Sequence, residues 1–132
     1  VRNFFNYVSP VFAALAMLVS PAFANFGQEL KHFEFGVSDL LHDKSRSRLY
    51  CAVPAQNSVV VIDSESLEVI ASVFTGSQPT SLAQSSDGFL LFVGNGGSSA
   101  QGVAVMNLES LEVTKYISTT TTVTGVAAGL GV

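Results

Sequence analysis

Two histidines and the acids around them are the first place to look for chemistry in this chain. His32 and His42 stand ten residues apart, with Glu34, Asp39 and Asp43 between or beside them. Imidazole and carboxylate are ordinary zinc and copper ligands, but a metal site needs them to converge, commonly with a third ligand. Ten residues of separation supply no convergence, and both histidines are read as exposed turn residues. Cys51 is the sole cysteine, so no intrachain disulfide can form. It sits inside an apolar strand pattern with neither histidine beside it, which predicts a buried, inert thiol.

Gly94-Asn95-Gly96-Gly97, with Gly102 beyond it, has the composition of a phosphate cradle. A cradle would need a helix start or a Lys-Ser/Thr pair next, and here a strand pattern follows, so the stretch is read as a loose hairpin loop. Serines are abundant, but no G-x-S-x-G occurs and no histidine is placed for a triad. Glu65, Glu68, Glu109 and Glu112 recur in step and are read as solvated hairpin positions. Lys44, Arg46 and Arg48 form the only basic cluster, expected to be a solvated turn. With 6 Lys and Arg against 10 Asp and Glu, nothing would hold a phosphate backbone, and no nucleic-acid partner is expected. No catalytic, cofactor-binding or metal-ligating residue is assigned, and no cofactor is expected.

The elements that carry these residues are written twice. Ser66-Leu67-Glu68-Val69 and Ser110-Leu111-Glu112-Val113 are the same four letters 44 positions apart. Upstream of each lies a β-branched run closed by Asp or Asn: Ser58 to Asp63, then Gly102 to Asn107. Further upstream Arg48 to Val53 lies over Leu90 to Asn95, and Ser38 to Leu41 over Thr80 to Ala83. Short runs of this kind, punctuated by turn residues, are strands. Four are expected per unit: 38–42, 48–53, 58–63 and 68–74, then 80–84, 89–95, 102–107 and 112–118. Asp87-Gly88 can turn the first pair of the second unit, with glycine free to take positive φ. Asp63 and Asn107 can close Asx-turns in the third connection of each unit. Helical period is confined to a faint trace across Phe26 to Lys31.

A repeat of 40-odd residues built from four short strands is how β-propellers are written. Leu82-x-x-Ser85-Ser86-Asp87-Gly88-x-x-Leu91-Phe92-Val93-Gly94-Asn95, followed by Val103 to Asn107 and Leu111-Glu112-Val113, resembles the YVTN-type β-propeller repeat. The strand that names that family reads Phe92-Val93-Gly94-Asn95 here, and Tyr50-Cys51-Ala52-Val53 in the first unit. The first unit has Ser45-Arg46 where the second has Asp87-Gly88. The resemblance spans about residues 37–129 and implies a seven-bladed ring in complete members. It places His42-Asp43 at the end of an innermost strand, beside the axial channel. It implies either a non-catalytic scaffold that binds a protein or small ligand, or the leading part of an oxidoreductase whose cofactor-bearing segments lie beyond Val132. No C-x-x-C-H haem site occurs within the chain.

The expected fold class is all-β: two four-stranded antiparallel propeller blades, 38–79 and 80–123, and the first strand of a third at 124–132. A linker or partial strand at 25–37 precedes them, and a signal helix lies in 1–24. Arg2, the apolar run Val11 to Val19, Pro21 and Ala22-Phe23-Ala24 follow the order of a secretory signal peptide cleaved after Ala24. Nine apolar residues rise only about 14 Å as a helix, against a hydrocarbon core of roughly 30 Å. The mature protein is therefore expected to be exported, with no stable membrane insertion. A blade is apolar on both faces, so two blades alone predict wet outer faces and self-association through them.

Overall fold

The computed structural model describes Gly27 and residues 29–129. The expected leader at 1–24 lies outside these residues. The chain divides into two units, Val1–Phe33 and Glu34–Val132, and among the described residues the regular structure lies in the second. Between Glu29 and Ser38 there is no helix or strand, so the faint helical period is not realised in its described part.

Eight strands follow: β1 Asp39–Asp43, β2 Arg48–Val53, β3 Ser58–Asp63, β4 Val69–Phe74, β5 Pro79–Gln84, β6 Leu90–Asn95, β7 Gly102–Asn107 and β8 Glu112–Ser118. They form two antiparallel meanders, β1-β2-β3-β4 and β5-β6-β7-β8. Each of the eight strands expected in the two full units is present, with ends shifted by no more than one residue. The turns behave as their residues dictate. Asp63 Oδ1 accepts the N–H groups of Glu65 and Ser66, and Asn107 Oδ1 those of Glu109 and Ser110. Those hydrogen bonds hold the Asp63 carboxyl below the usual carboxylate range. Gly88 takes φ +76 next to Asp87, whose carboxylate accepts from Ser85 Oγ and Phe89 N–H. The shared tetrapeptide hides a less expected feature: Leu67 and Leu111 both take φ 58, a left-handed conformation that costs a β-carbon about 1–2 kcal/mol.

The core lies between the sheets. Alternate residues of β2 and β3 (Tyr50, Ala52, Val59, Val61) meet Leu82, Leu91, Val93, Ala104, Met106 and Leu108 of the second sheet. Leu41, Ala71, Val73 and Leu111 extend this cluster toward the sheet edges. Strand alternation selects these residues, since successive side chains point to opposite faces.

Two expectations change. Residues 124–129 form no strand. An innermost strand finds its ladder within its own sheet, as β1 has β2 and β5 has β6, and among the described residues 124–129 have no such partner. The outer face of the first sheet is also not wholly wet: Cys51, Val60 and Ile62 are each 2% exposed. Exposure on that sheet is concentrated on its edge strands, at Leu40, Val69, Ile70 and Phe74.

Because Leu91 is fully buried between the sheets, Leu91→Ala is expected to lower stability by about 2–5 kcal/mol. Ile117→Ala, on exposed β8, is expected to change it by less than about 1 kcal/mol. Urea denaturation followed by circular dichroism measures both, and equal effects would contradict this core.

Candidate functional site

The chemistry-bearing residues of the β1–β2 turn reach into the second sheet. Asp43 closes β1 at 4% exposure, its Oδ1 accepting Ser45 N–H at 3.0 Å and Ser45 Oγ–H at 2.6 Å. Arg46, three residues on, donates from Nη1 to Asp43 Oδ2 and to the carbonyl of Gly88, both at 2.8 Å. Its Nε and Nη2 clasp Glu109 Oε1 at 2.9 and 2.5 Å, and its guanidinium sits 5.9 Å from the Phe89 ring centroid. Gln84 Nε2 donates to Asp43 Oδ2 at 3.3 Å, and Arg48 Nη1 to the Leu108 carbonyl at 2.8 Å. The basic cluster expected as a solvated turn is thus corrected: Lys44 is exposed, while Arg46 and Arg48 fasten the two sheets. Burial opposes ionisation of Asp43, but hydrogen bonds from Ser45 and Arg46 outweigh it and hold its carboxyl below the usual carboxylate range. Asp43 and Glu109 in turn hold the Arg46 guanidinium more firmly protonated. The sequence concealed this because Arg46 and Glu109 lie 63 residues apart.

At the opposite ends of the strands the glycine-rich loop holds a neighbouring stretch of chain. Gly96 N–H donates to Gln78 O at 3.0 Å and Gly97 N–H to Ser77 O at 2.9 Å. Asn95, fully buried, donates from Nδ2 to Thr75 O at 2.9 Å. Asn57 grips the same connector from the first sheet, its Oδ1 accepting Gln78 N–H and its carbonyl Thr75 N–H. A β-carbon added at Gly97 would lie 2.0 Å from Ser77 Oγ, so glycine there serves close approach between two stretches of chain. The hairpin reading holds.

The innermost strands are stitched by hydroxyls in a repeating pattern. Ser38 Oγ–H reaches Ala52 O at 3.3 Å and Pro79 O at 2.8 Å. Thr80, its counterpart in the second sheet, reaches Gly94 O and Val123 O, both at 3.1 Å. Val123 therefore occupies the place of Pro79, one unit on. Asp39 Oδ2 also accepts Leu82 N–H at 2.7 Å, tying β1 to β5.

The sequence-level candidates do not assemble. His42 is exposed on β1, and His32 belongs to the Val1–Phe33 unit, 3.7 Å from Glu29. Among the described residues no group of three His, Cys, Asp or Glu side chains could hold a metal ion. Cys51 is buried, and that burial pushes its thiol up, away from the reactive thiolate. No helix among the described residues is long and apolar enough to cross a membrane. What sequence reasoning missed is a cleft of about 310 Å³ between the sheets at their outer rim, lined by Phe74, Thr75, Gly76, Ala100, Val113 and Tyr116. Its walls come from β4, the 75–78 connector, β8 and the loop before β7, which no local pattern links.

No family model matches the chain, and no curated protein matches it. Solved structures do. Hydrazine Synthase of Kuenenia stuttgartiensis superposes with a TM-score of 0.63 at 24% identity, over 77% of this chain and 28% of that one. The β-propeller domain of Cps50 (Swd1) from Myceliophteria thermophila gives 0.57 at 20% identity, over 69% of this chain and 28% of that one. U3-55K gives 0.57 at 17%, over 70% and 29%. The chain thus spans less than a third of each of these structures. At such identities the likeness establishes the fold: the two meanders are β-propeller blades.

The Asp43–Arg46–Glu109 clamp sets a pH dependence. A carboxyl whose folded pKa is depressed contributes stability above its unfolded pKa, about 3.9, and loses it as pH falls through the folded value. Arg46→Met leaves Asp43 buried with its charge uncompensated, an expected loss of about 2–4 kcal/mol at pH 7. The gap between parent and variant should narrow progressively as pH falls below about 4 and through the depressed folded value at which Asp43 takes up its proton. Urea midpoints from pH 7 to 3 measure this; a gap independent of pH would show that the clamp is not electrostatic.

Proposed function

We propose that this chain is part of an exported, non-catalytic β-propeller of the YVTN repeat type that serves as a rigid platform for a protein partner. The observation carrying this reading is that the ionisable groups at the blade junction are engaged in fastening it. Asp43, Arg46 and Glu109 bind one another across the blades, and Asp39 holds Leu82 N–H. Groups so tied are poor acids, bases or nucleophiles, but they fix two sheets into one body with an open apolar cleft at its rim. The order of residues 1–24 supports export.

One observation favours a second reading. Hydrazine Synthase carries a segment of this shape, which fits the leading part of an exported propeller-type oxidoreductase with its cofactor-bearing segments beyond residue 132. The reading frame downstream separates the two: C-x-x-C-H haem motifs there support the oxidoreductase, and further blades alone support the platform.

Two measurements test the proposal. Mass spectrometry of protein recovered from outside the cytoplasm should find Asn25 as the first residue, and retention of Val1 to Ala24 would refute leader cleavage. Selection from a random displayed-peptide library should yield binders that survive His42→Ala. If no peptide binds more tightly than about 1 mM, roughly −4 kcal/mol, the platform reading fails.

A further inference from the structure

Resting on the platform reading, we infer that the rim cleft between β4 and β8 receives an aromatic side chain bearing an N–H or O–H, presented by an extended segment of the partner. Three features carry this. The walls are apolar and aromatic yet open to solvent: Phe74 is 68% exposed, Tyr116 41% and Val113 36%. Isolated exposed apolar residues are ordinary, whereas two rings and a valine around one concavity are a binding feature. The floor holds an unanswered polar atom. Thr75 lines the cleft at 2% exposure and its hydroxyl has no partner. Buried polar groups are normally satisfied, and this hydroxyl can accept a hydrogen bond from a donor entering the cleft.

The third feature is the pair of strands flanking the cleft. Among the described residues β4 and β8 end their sheets, so each presents a backbone edge that no described strand pairs with. Tyr116 pairs with Ala104 and Val113 with Met106, both partners belonging to the inter-blade core. The cleft therefore continues the established blade interface outward, and a strand added to β8 would aim alternate side chains over it. About 310 Å³ lies at the foot of the roughly 300–1,000 Å³ range of ligand pockets, enough for one ring whose main chain runs along the edge outside.

The chain contains no tryptophan, so a tryptophan peptide is its own reporter. The probe is acetyl-Ser-Val-Trp-Val-Ser-amide, titrated with the chain and read by the blue shift of its emission. Saturable binding is expected, weakened at least 10-fold by Phe74→Ala and by Tyr116→Ala, whose exposed rings can be removed without unfolding the blades. Thr75→Val should weaken the tryptophan peptide about 3- to 10-fold and leave its phenylalanine analogue, which has no donor, unchanged. Equal affinity for N-acetyl-tryptophanamide would overturn the inference, because the extended backbone would then contribute nothing. Concentration-dependent dimerisation that excludes the peptide would also overturn it, making a second copy the occupant. Peptide binding indifferent to Phe74 and Tyr116 would refute this cleft while leaving the platform reading intact; failure of every peptide, library-selected ones included, would refute both.

Discussion

Two apolar sheet faces that must be covered govern this structure. Tyr50, Ala52, Val59 and Val61 on one blade, and Leu91, Val93, Ala104 and Met106 on the other, are almost wholly withdrawn from water only because each set closes the other. A lone four-stranded meander of this composition would expose one set completely. At about 25 cal/mol per Å² of apolar surface, that mutual burial is the dominant attraction between the blades. Apolar contact is not directional, however, and would tolerate a slide or rotation of one sheet on the other.

Direction comes from the polar fasteners around that core. At the turn end, Arg46 and Arg48 address Asp43, Glu109 and two carbonyls, Gly88 and Leu108, at fixed distances. At the loop end, Asn57 and Asn95 hold the connector from both blades. Near the innermost strands, Ser38 and Asp39 bond Pro79 O and Leu82 N–H. Three groups of bonds at separate places leave a single stagger of the two sheets. Among the described residues, only the hydroxyl stitch recurs on the next side, where Thr80 reaches Val123 O. The charged clamp does not, because Gly88 stands where the first blade has Arg46 and Ser85 where it has Asp43.

The same arrangement shapes what the molecule can offer a partner. Asp43 and Arg46 are engaged in the junction, and the glycine-rich loop clasps the chain's own connector. At the rim the inter-blade core opens into an apolar cleft whose lining includes Thr75, with its unpartnered hydroxyl.

The sequence by itself determined the eight strands, their division into two blades and the turn chemistry. Those features rest on local rules: alternation along a strand, Asx-turns at Asp63 and Asn107, positive φ at Gly88. It also determined that Cys51 is buried and that the glycine-rich stretch from Gly94 joins two strands of one hairpin, both legible from the pattern on either side. The left-handed φ of Leu67 and Leu111 was not legible, since leucine carries no signal for it. Only the tertiary structure decided that Arg46 and Arg48 are fasteners, that Glu109 is engaged and that Phe74, Thr75 and Tyr116 share a cleft. These are meetings between residues tens of positions apart. Their geometry depends on how one sheet stacks on the next, and a repeat states that units follow one another without stating which side chains cross between them.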